Sequence, residues 1–246
     1  LTMQKVETIE KLRTIPNLTS LNLTFNNVNN EILELKNIGD LTNLRSLYIS
    51  VGNSKNVLDL KEIENCISLT SLHINVMQLI NIESIQNLEK LEDISIDVYS
   101  NGEKYTIPDG IFNGLDKIKN LQLSEFNNTN LSFLKNLEIE NLYLSSDMLK
   151  DLSFLKSCSI TNLTVGNINE QNNFTEIANS DELKDTDIKY NRTYNVNLEN
   201  VKQNANYTYN IVDIAPAFNE LFNTESRFYS ESYDVYTYSY NNQQEV

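Results

Sequence analysis

The chain is poor in the residues that build catalytic and metal sites. Its 246 residues include no Trp, one His, two Cys, three Pro and six Gly. A Ser–His–Asp triad would depend on that single histidine, and a zinc site needs several His or Cys ligands close together. We therefore expect no metal and no cofactor, and we predict that the protein is not an enzyme.

Basic stretches and long apolar runs are also missing. Asp and Glu outnumber Lys and Arg by 34 to 19, and the net charge is −15. Such a field repels the phosphates of nucleic acids and of anionic lipids. The apolar runs are far shorter than the roughly 20 residues that cross a bilayer. We expect no nucleic-acid partner and no membrane insertion, and no signal-peptide pattern opens the chain.

What the chain does contain is an apolar pattern that recurs at least eight times. The unit is an apolar residue, two others, a second apolar residue, two others, and a Leu-x-Leu pair. Residues 15–23 show it as Ile15, Leu18, Leu21 and Leu23. The terminal pairs begin at positions 21, 47, 72, 94, 121, 142, 163 and 188. A period of 21 to 27 residues indicates stacked repeats.

Alternation within each pair assigns the two faces of the predicted strands. Leu21, Leu23 and Phe25 share one phase, which we assign to the core. Stacking the repeats aligns their strands into one parallel sheet and joins the apolar positions into a continuous core. The same core slot as that of Phe25 is predicted for Val51, Val76 and Val98.

The residues between the core positions form a polar, mildly acidic solvent face. Ser71 and Ser95 lie near His73 in this face, but no strained turn or pocket wall accompanies them, so we interpret His73 as a solvent-exposed side chain. Aromatic and hydrogen-bonding side chains are the usual anchors of a binding surface. The candidate ligand-binding residues are Tyr48, His73, Asp93, Asp97, Gln122 and Tyr143.

The segments between strands give weaker signals. Residues 3–13 and 59–67 have helical spacing, with Leu60, Ile63 and Ile67 on one side, and predict short helices opposite the sheet. In residues 107–115 we expect an Ile–Phe pair to pack over the preceding repeat, with Gly110 and Gly114 forming tight turns. Phe133 and Phe154 are predicted to pack in the same way in their own repeats.

The two cysteines are predicted to stay unpaired. Cys66 and Cys158 lie four repeats apart, which is about 19 Å at the spacing of neighbouring strands. A disulfide requires Cα atoms within about 7 Å. We expect two separate, buried thiols.

The composition changes after residue 190, where the repeat pattern ends. Eight of the 13 tyrosines follow, and alternating segments predict strands. The sequence leaves open whether residues 192–246 form a β-rich cap or a small independent domain, after an N-terminal helical cap at 1–14 and about eight repeats at 15–191. An alternative binding surface in this tail comprises Tyr233, Tyr236, Tyr238 and Tyr240.

Residues 1–190 resemble leucine-rich-repeat proteins. The segment Leu-Thr-Asn-Leu-Arg-Ser-Leu at 41–47 is similar to bacterial cell-surface proteins of the internalin-like kind, and residues 107–123 resemble the extracellular type of repeat. The resemblance implies an α/β solenoid: a curved right-handed coil with a parallel β-sheet on its concave face and a C-terminal cap. It also implies an extracellular or surface location and a role in adhesion or protein binding at the bacterial cell wall.

Two functions follow as hypotheses. The first is a non-catalytic scaffold, secreted or displayed on a bacterial surface, that binds a protein or glycan ligand. The second is a structural spacer that displays another part of a longer surface protein and has no ligand of its own. In either case we expect a monomer or a fragment of a larger surface protein.

Overall fold

The computed structural model describes residues 2–3, 15, 17–25, 32–52, 56–99, 104–115, 117–166 and 180–191. The chain divides into two compact units, Leu1–Asn191 and Arg192–Val246, and all described residues lie in the first. The four tail tyrosines, and the choice between a cap and an independent domain, therefore fall outside the described residues.

Nine strands of the described residues form one parallel sheet, the main sheet. Its order along the sheet follows the order along the chain. Each of the eight predicted Leu-x-Leu pairs lies in one of these strands, and the first residues of the pairs are aligned in register from Leu21 to Ile188. The predicted parallel sheet is thus confirmed, in a repeating, solenoid-like arrangement. The strands are β1 (Thr2–Met3), β2 (Ser20–Phe25), β4 (Ser46–Val51), β6 (Ser71–Val76), β8 (Asp93–Val98), β9 (Lys117–Ser124), β10 (Glu138–Ser145), β11 (Ser159–Gly166) and β12 (Asp187–Asn191).

One face of the main sheet supplies the core. Leu21, Leu23 and Phe25 are buried, and the three valines predicted for the slot of Phe25 are buried as well. Removing one such side chain from water stabilises the fold by about 1.5–3 kcal/mol. The side chains between them are exposed or half-buried. This alternation fixes which side of each strand is available to a ligand.

A second parallel sheet of three strands was not predicted. Its strands are β3 (Ile32–Glu34), β5 (Val57–Asp59) and β7 (Leu79–Ile80), in that order. They use the residues that separate consecutive strands of the main sheet, and Leu33 and Leu58 pair directly and are buried. A second Leu-x-Leu pair in these repeats, at 33–35 and 58–60, was the sequence signal.

The short helix predicted at 59–67 is a 3₁₀ helix. In the helix Lys61–Asn65 and its flanks, the N–H groups of Ile63 and Cys66 each donate to the carbonyl three residues earlier. A 3₁₀ period of three buries Leu60, Ile63 and Cys66, and leaves Ile67 58% exposed, so the predicted inward position of Ile67 was wrong. The other 3₁₀ helices in the described segments are Ile38–Asp40, Ile82–Asn87, Ser132–Leu134, Ser153–Ser157 and Asp181–Leu183.

The N-terminal edge is described only at residues 2–3 and 15. Residues 2–3 form β1, which pairs with β2 and occupies backbone groups that an edge strand would leave open. Residues 4–14 lie outside the described residues, so the helical cap over 1–14 stays a prediction. Ile15, expected in the core, is 40% exposed.

The segment 107–115 turns at its two glycines as predicted, and its Phe112 packs on the following repeat; packing of the Ile–Phe pair over the preceding repeat stays a prediction. Gly110 and Gly114 have φ values of 80° and 90°, which favour glycine. Phe112 is buried and contacts the half-buried Phe133, with ring centroids 6.0 Å apart. Phe154, which corresponds to Phe133 in the next repeat, is completely buried.

Both cysteines are free and buried, as predicted. The Cys66 thiol donates to the carbonyl oxygen of Ile38 at 3.5 Å, and the Cys158 thiol donates to that of Leu134 at 3.2 Å. Burial raises the pKa of each thiol to about 12. Both thiols are therefore protonated and poorly nucleophilic at neutral pH.

Candidate functional site

The solvent face of the main sheet carries the predicted site residues in one register. Tyr48, His73, Ser95, Gln122 and Tyr143 are consecutive partners across β4, β6, β8, β9 and β10. Neighbouring parallel strands are about 4.8 Å apart, so these side chains form a continuous row. Asp93 and Asp97 lie in the flanking positions of β8, two residues either side of Ser95.

A shallow groove of about 490 Å³ runs over the second part of this row. It includes three of the predicted residues, His73, Gln122 and Tyr143, but not Tyr48, Asp93 or Asp97. Its polar lining continues through Ser95 and Thr164 in the same row and through Asn120, Asn141, Asn162 and Asp187 in the row beside it.

Three asparagines of the groove form a hydrogen-bonded ladder across β9, β10 and β11. The Nδ2 amide of Asn162 donates to the Oδ1 of Asn141 at 2.8 Å, and the Nδ2 amide of Asn141 donates to the Oδ1 of Asn120 at 2.8 Å. The Nδ2 amide of Asn120 in turn donates to the carboxylate of Asp93. We call Asn120, Asn141 and Asn162 the asparagine ladder.

Asp93 fixes the direction of this ladder. An ionised carboxylate only accepts hydrogen bonds, so Asn120 must present its amide N–H to Asp93 and its oxygen to Asn141. The same orientation then passes from strand to strand, and Asn162 keeps its Oδ1 on the side of β12. The residue paired with Asn162 in β12 is Asp187, another acceptor.

Tyr143 supplies the aromatic surface of the groove. Its hydroxyl lies 3.5 Å from the point where a Cβ at Gly166 would stand. Gly166 ends β11, so the ring of Tyr143 extends across the neighbouring strand, and any side chain at position 166 would contact it. The ring is therefore directed toward the row of Ser145 and away from the ladder.

A second cluster lies near the ends of the strands, outside the groove. Tyr99 hydrogen-bonds with Asp97, and this bond, with some burial, raises the pKa of Tyr99 above its ordinary value. The hydroxyl of Ser124 donates to the same carboxylate. Tyr48 and Tyr99 are 36% and 50% exposed, so two aromatic side chains remain accessible on this part of the face.

The arrangement is suited to hydrogen bonding with a ligand. The asparagine ladder offers amide N–H and carbonyl groups at the strand spacing, and Asp187 offers a carboxylate. Within the described part of the chain, no three His, Cys, Asp or Glu side chains lie close enough to share a metal ion. No helix among the described residues is long and apolar enough to cross a membrane.

Sequence reasoning missed several residues of this face. The ladder, Asp187 and Tyr99 were not among the candidates, although the ladder had a signal: each of its asparagines immediately precedes the apolar pair of its strand. Identical residues at identical positions of successive repeats become direct neighbours in a parallel sheet. A polar residue that recurs at one position of successive repeats therefore predicts a surface site better than a single residue chosen by its chemical type.

No protein-family model matches this chain, and no curated protein matches it.

Proposed function

We propose that this chain is a non-catalytic recognition scaffold of the leucine-rich-repeat type, secreted or displayed on a bacterial surface, that binds a protein or glycan ligand. In this proposal the repeats coil right-handedly, the main sheet is the concave side, and the solvent face is the binding surface. The repeat period of 21 to 27 residues and the in-register strands support the proposal.

The groove is the observation that carries the proposal. Its lining combines an aromatic residue, a histidine, a glutamine and the asparagine ladder on one open surface. The opposite side of the same strands is buried and apolar, so these polar groups are not needed to form the core. A pure spacer would require the core face but would not require aligned donors and acceptors on the other side.

A matched pair of glutamine substitutions tests this function. Gln122→Arg places a long cation in the centre of the groove, whereas Gln86→Arg makes the same change on the exposed surface of the 3₁₀ helix Ile82–Asn87. The unmodified chain and both variants are applied to arrays of glycans and of peptides. We expect binding that Gln122→Arg weakens about tenfold or more and that Gln86→Arg leaves unchanged, because only the first blocks the groove.

Two outcomes would contradict the proposal. Equal binding by all three proteins would remove the groove from recognition. No binding to any glycan or peptide would favour the spacer function. Thermal unfolding of each variant, followed by circular dichroism, shows whether the substitution itself disturbs the fold.

A further inference from the structure

We propose that the groove receives an extended, basic segment of a partner protein, with one Lys ammonium or Arg guanidinium held between Asn162 and Asp187. This inference rests on the proposed function and names the class of its ligand.

The end of the asparagine ladder lacks a donor. Asn162 donates its amide to Asn141 and keeps its Oδ1 on the side of Asp187, which is paired with it in β12. Two acceptors therefore stand next to each other. Among the described residues, no hydrogen bond reaches either the Asn162 Oδ1 or the Asp187 carboxylate, whereas the equivalent carboxylate at the other end, Asp93, accepts from Asn120. A donor group placed between two acceptors satisfies both.

Charge favours a cationic donor over a neutral one. The described side chains that line the groove include Asp187 but no Lys or Arg, Lys189 is the register partner of Thr164 at the end of the row, and the chain carries a net charge of −15. An ammonium or guanidinium gains from this field and from a charge-assisted hydrogen bond, which is roughly twice as strong as a neutral one. A sugar hydroxyl can also donate to the carboxylate, but it carries no charge and gains nothing from the field.

The shape of the groove favours an extended segment. The groove spans β6, β8, β9, β10, β11 and β12, whose five spacings of about 4.8 Å give about 24 Å. An extended peptide rises about 3.3 Å per residue, so about seven residues cover that distance. The Tyr143 ring is directed toward Gly166, away from Asn162 and Asp187, so it can contact a part of the extended segment other than the bound cation.

Peptide probes and two aspartate variants test the inference. The probe is an acetylated, amidated Lys–Ser repeat peptide of about seven residues, and its counterpart replaces Lys by Glu. Asp187→Asn removes the carboxylate in the groove, while Asp185→Asn removes the same charge from an exposed residue outside it. Affinities are measured by calorimetry at physiological ionic strength.

We expect the Lys–Ser peptide to bind and the Glu–Ser peptide not to bind. Asp187→Asn should weaken binding about tenfold, as expected for loss of one charge-assisted hydrogen bond, and Asp185→Asn less than about twofold. Equal losses in the two variants would overturn the inference, because they would show only attraction to the net charge. Absence of binding by the Lys–Ser peptide would overturn it as well.

A neutral probe separates this inference from the proposed function. A linear N-acetylglucosamine oligomer is titrated into the same proteins and into Gln122→Arg. If the sugar binds, if Gln122→Arg abolishes this binding and if Asp187→Asn leaves it unchanged, the groove is a glycan site. The basic-segment inference is then wrong, while the recognition function stands.

Discussion

The first half of the repeat region, residues 20–98, and the second half, residues 117–191, are packed differently. In the first half, β2, β4, β6 and β8 each have six residues, and the second sheet covers the opposite side. In the second half, β9, β10 and β11 each have eight residues, and no strand of the second sheet lies among its described residues. Among the described residues, the second sheet thus accompanies the six-residue strands of the main sheet, and the eight-residue strands have no such partner sheet.

The polar rows on the solvent face of the main sheet also differ between the two halves. In the first half, the row that contains the ladder begins with Ser20, Ser46 and Ser71, which have no side-chain amide. In the second half it contains Asn120, Asn141 and Asn162, whose amides bond from strand to strand. The terminal pairs of these three strands are 21 residues apart, so near-identical repeats bring the same residue to each position. The comparison indicates that the first half is held by apolar packing on two sheets and that the second half adds a polar network.

The largest effect is expected from Leu58→Ala in the second sheet. Leu58 is completely buried in the central strand, between Leu33 and Leu79. The substitution should lower the free energy of unfolding by about 3 kcal/mol, measured by urea denaturation, because it removes buried methyl groups and leaves a cavity. Ile67→Ala in the same repeat, at a 58% exposed residue, should cost less than about 0.5 kcal/mol.

A small effect of Leu58→Ala would contradict the proposed difference between the two halves. A cost near that of Ile67→Ala would mean that the second sheet is not part of the stabilising core of the first half, and that both halves depend on the main sheet alone.

The main sheet could be predicted from the sequence because its signal is repeated. A single Leu-x-Leu pair is weak, but the eight aligned pairs fix strand, face and register together, and the same alignment predicted buried thiols at Cys66 and Cys158. Ile67 shows the limit of this reasoning. An α-helix and a 3₁₀ helix would both bury Leu60 and Ile63. They differ at the next buried position, which is Ile67 in the predicted α-helix and Cys66 in the observed 3₁₀ helix.

The candidate site was predicted less well for a physical reason. Single residues such as Tyr48 and His73 were chosen by chemical type, whereas the groove depends on which residues touch across strands. Asn120, Asn141 and Asn162 are individually ordinary surface residues. Their hydrogen bonds exist only because three strands align the same position.

The second prediction concerns the asparagine ladder. Asn141→Ala removes the middle amide and with it one bond to Asn120, one from Asn162 and a longer one, 3.3 Å, to the carbonyl oxygen of Lys119. Each half-buried hydrogen bond contributes about 0.5–1.5 kcal/mol, so the free energy of unfolding should fall by about 1–2 kcal/mol. The matched change in the first half, Ser71→Ala, should cost less than about 0.5 kcal/mol, because no ladder joins the described serines of this row. Equal costs for the two variants, measured by urea denaturation, would show that the ladder adds no stability to the second half.

The smallest effect on stability is expected from the ion pairs that join one repeat to the next, in the second half and at its N-terminal border. The ammonium of Lys104 lies 2.9 Å from the Glu125 carboxylate and also bonds to Asp147, and its side chain is 18% exposed. Lys104→Met should lower the free energy of unfolding by about 1 kcal/mol, since the pairs are shielded from solvent on one side. Lys117→Met removes a pair with Glu138 that is 60% exposed on the lysine side, and we expect a smaller loss there. A larger loss in Lys117→Met would contradict the importance of shielding.

The dependence on pH separates the charge of Lys104 from its packing. Burial lowers the pKa of Lys104, but its hydrogen bonds and charge interactions with Asp147 and Glu125 outweigh that effect and leave the pKa above its ordinary value of 10.5. A raised lysine pKa contributes stability that is fully present below the unfolded pKa of about 10.4 and is lost as the pH rises through the folded pKa. The difference in unfolding free energy between the unmodified chain and Lys104→Met should therefore stay constant from about pH 7 to about pH 10 and shrink above that range. If the difference stays constant at higher pH, the methylene stem of Lys104 stabilises the junction by packing, and the charged network adds nothing to the second half.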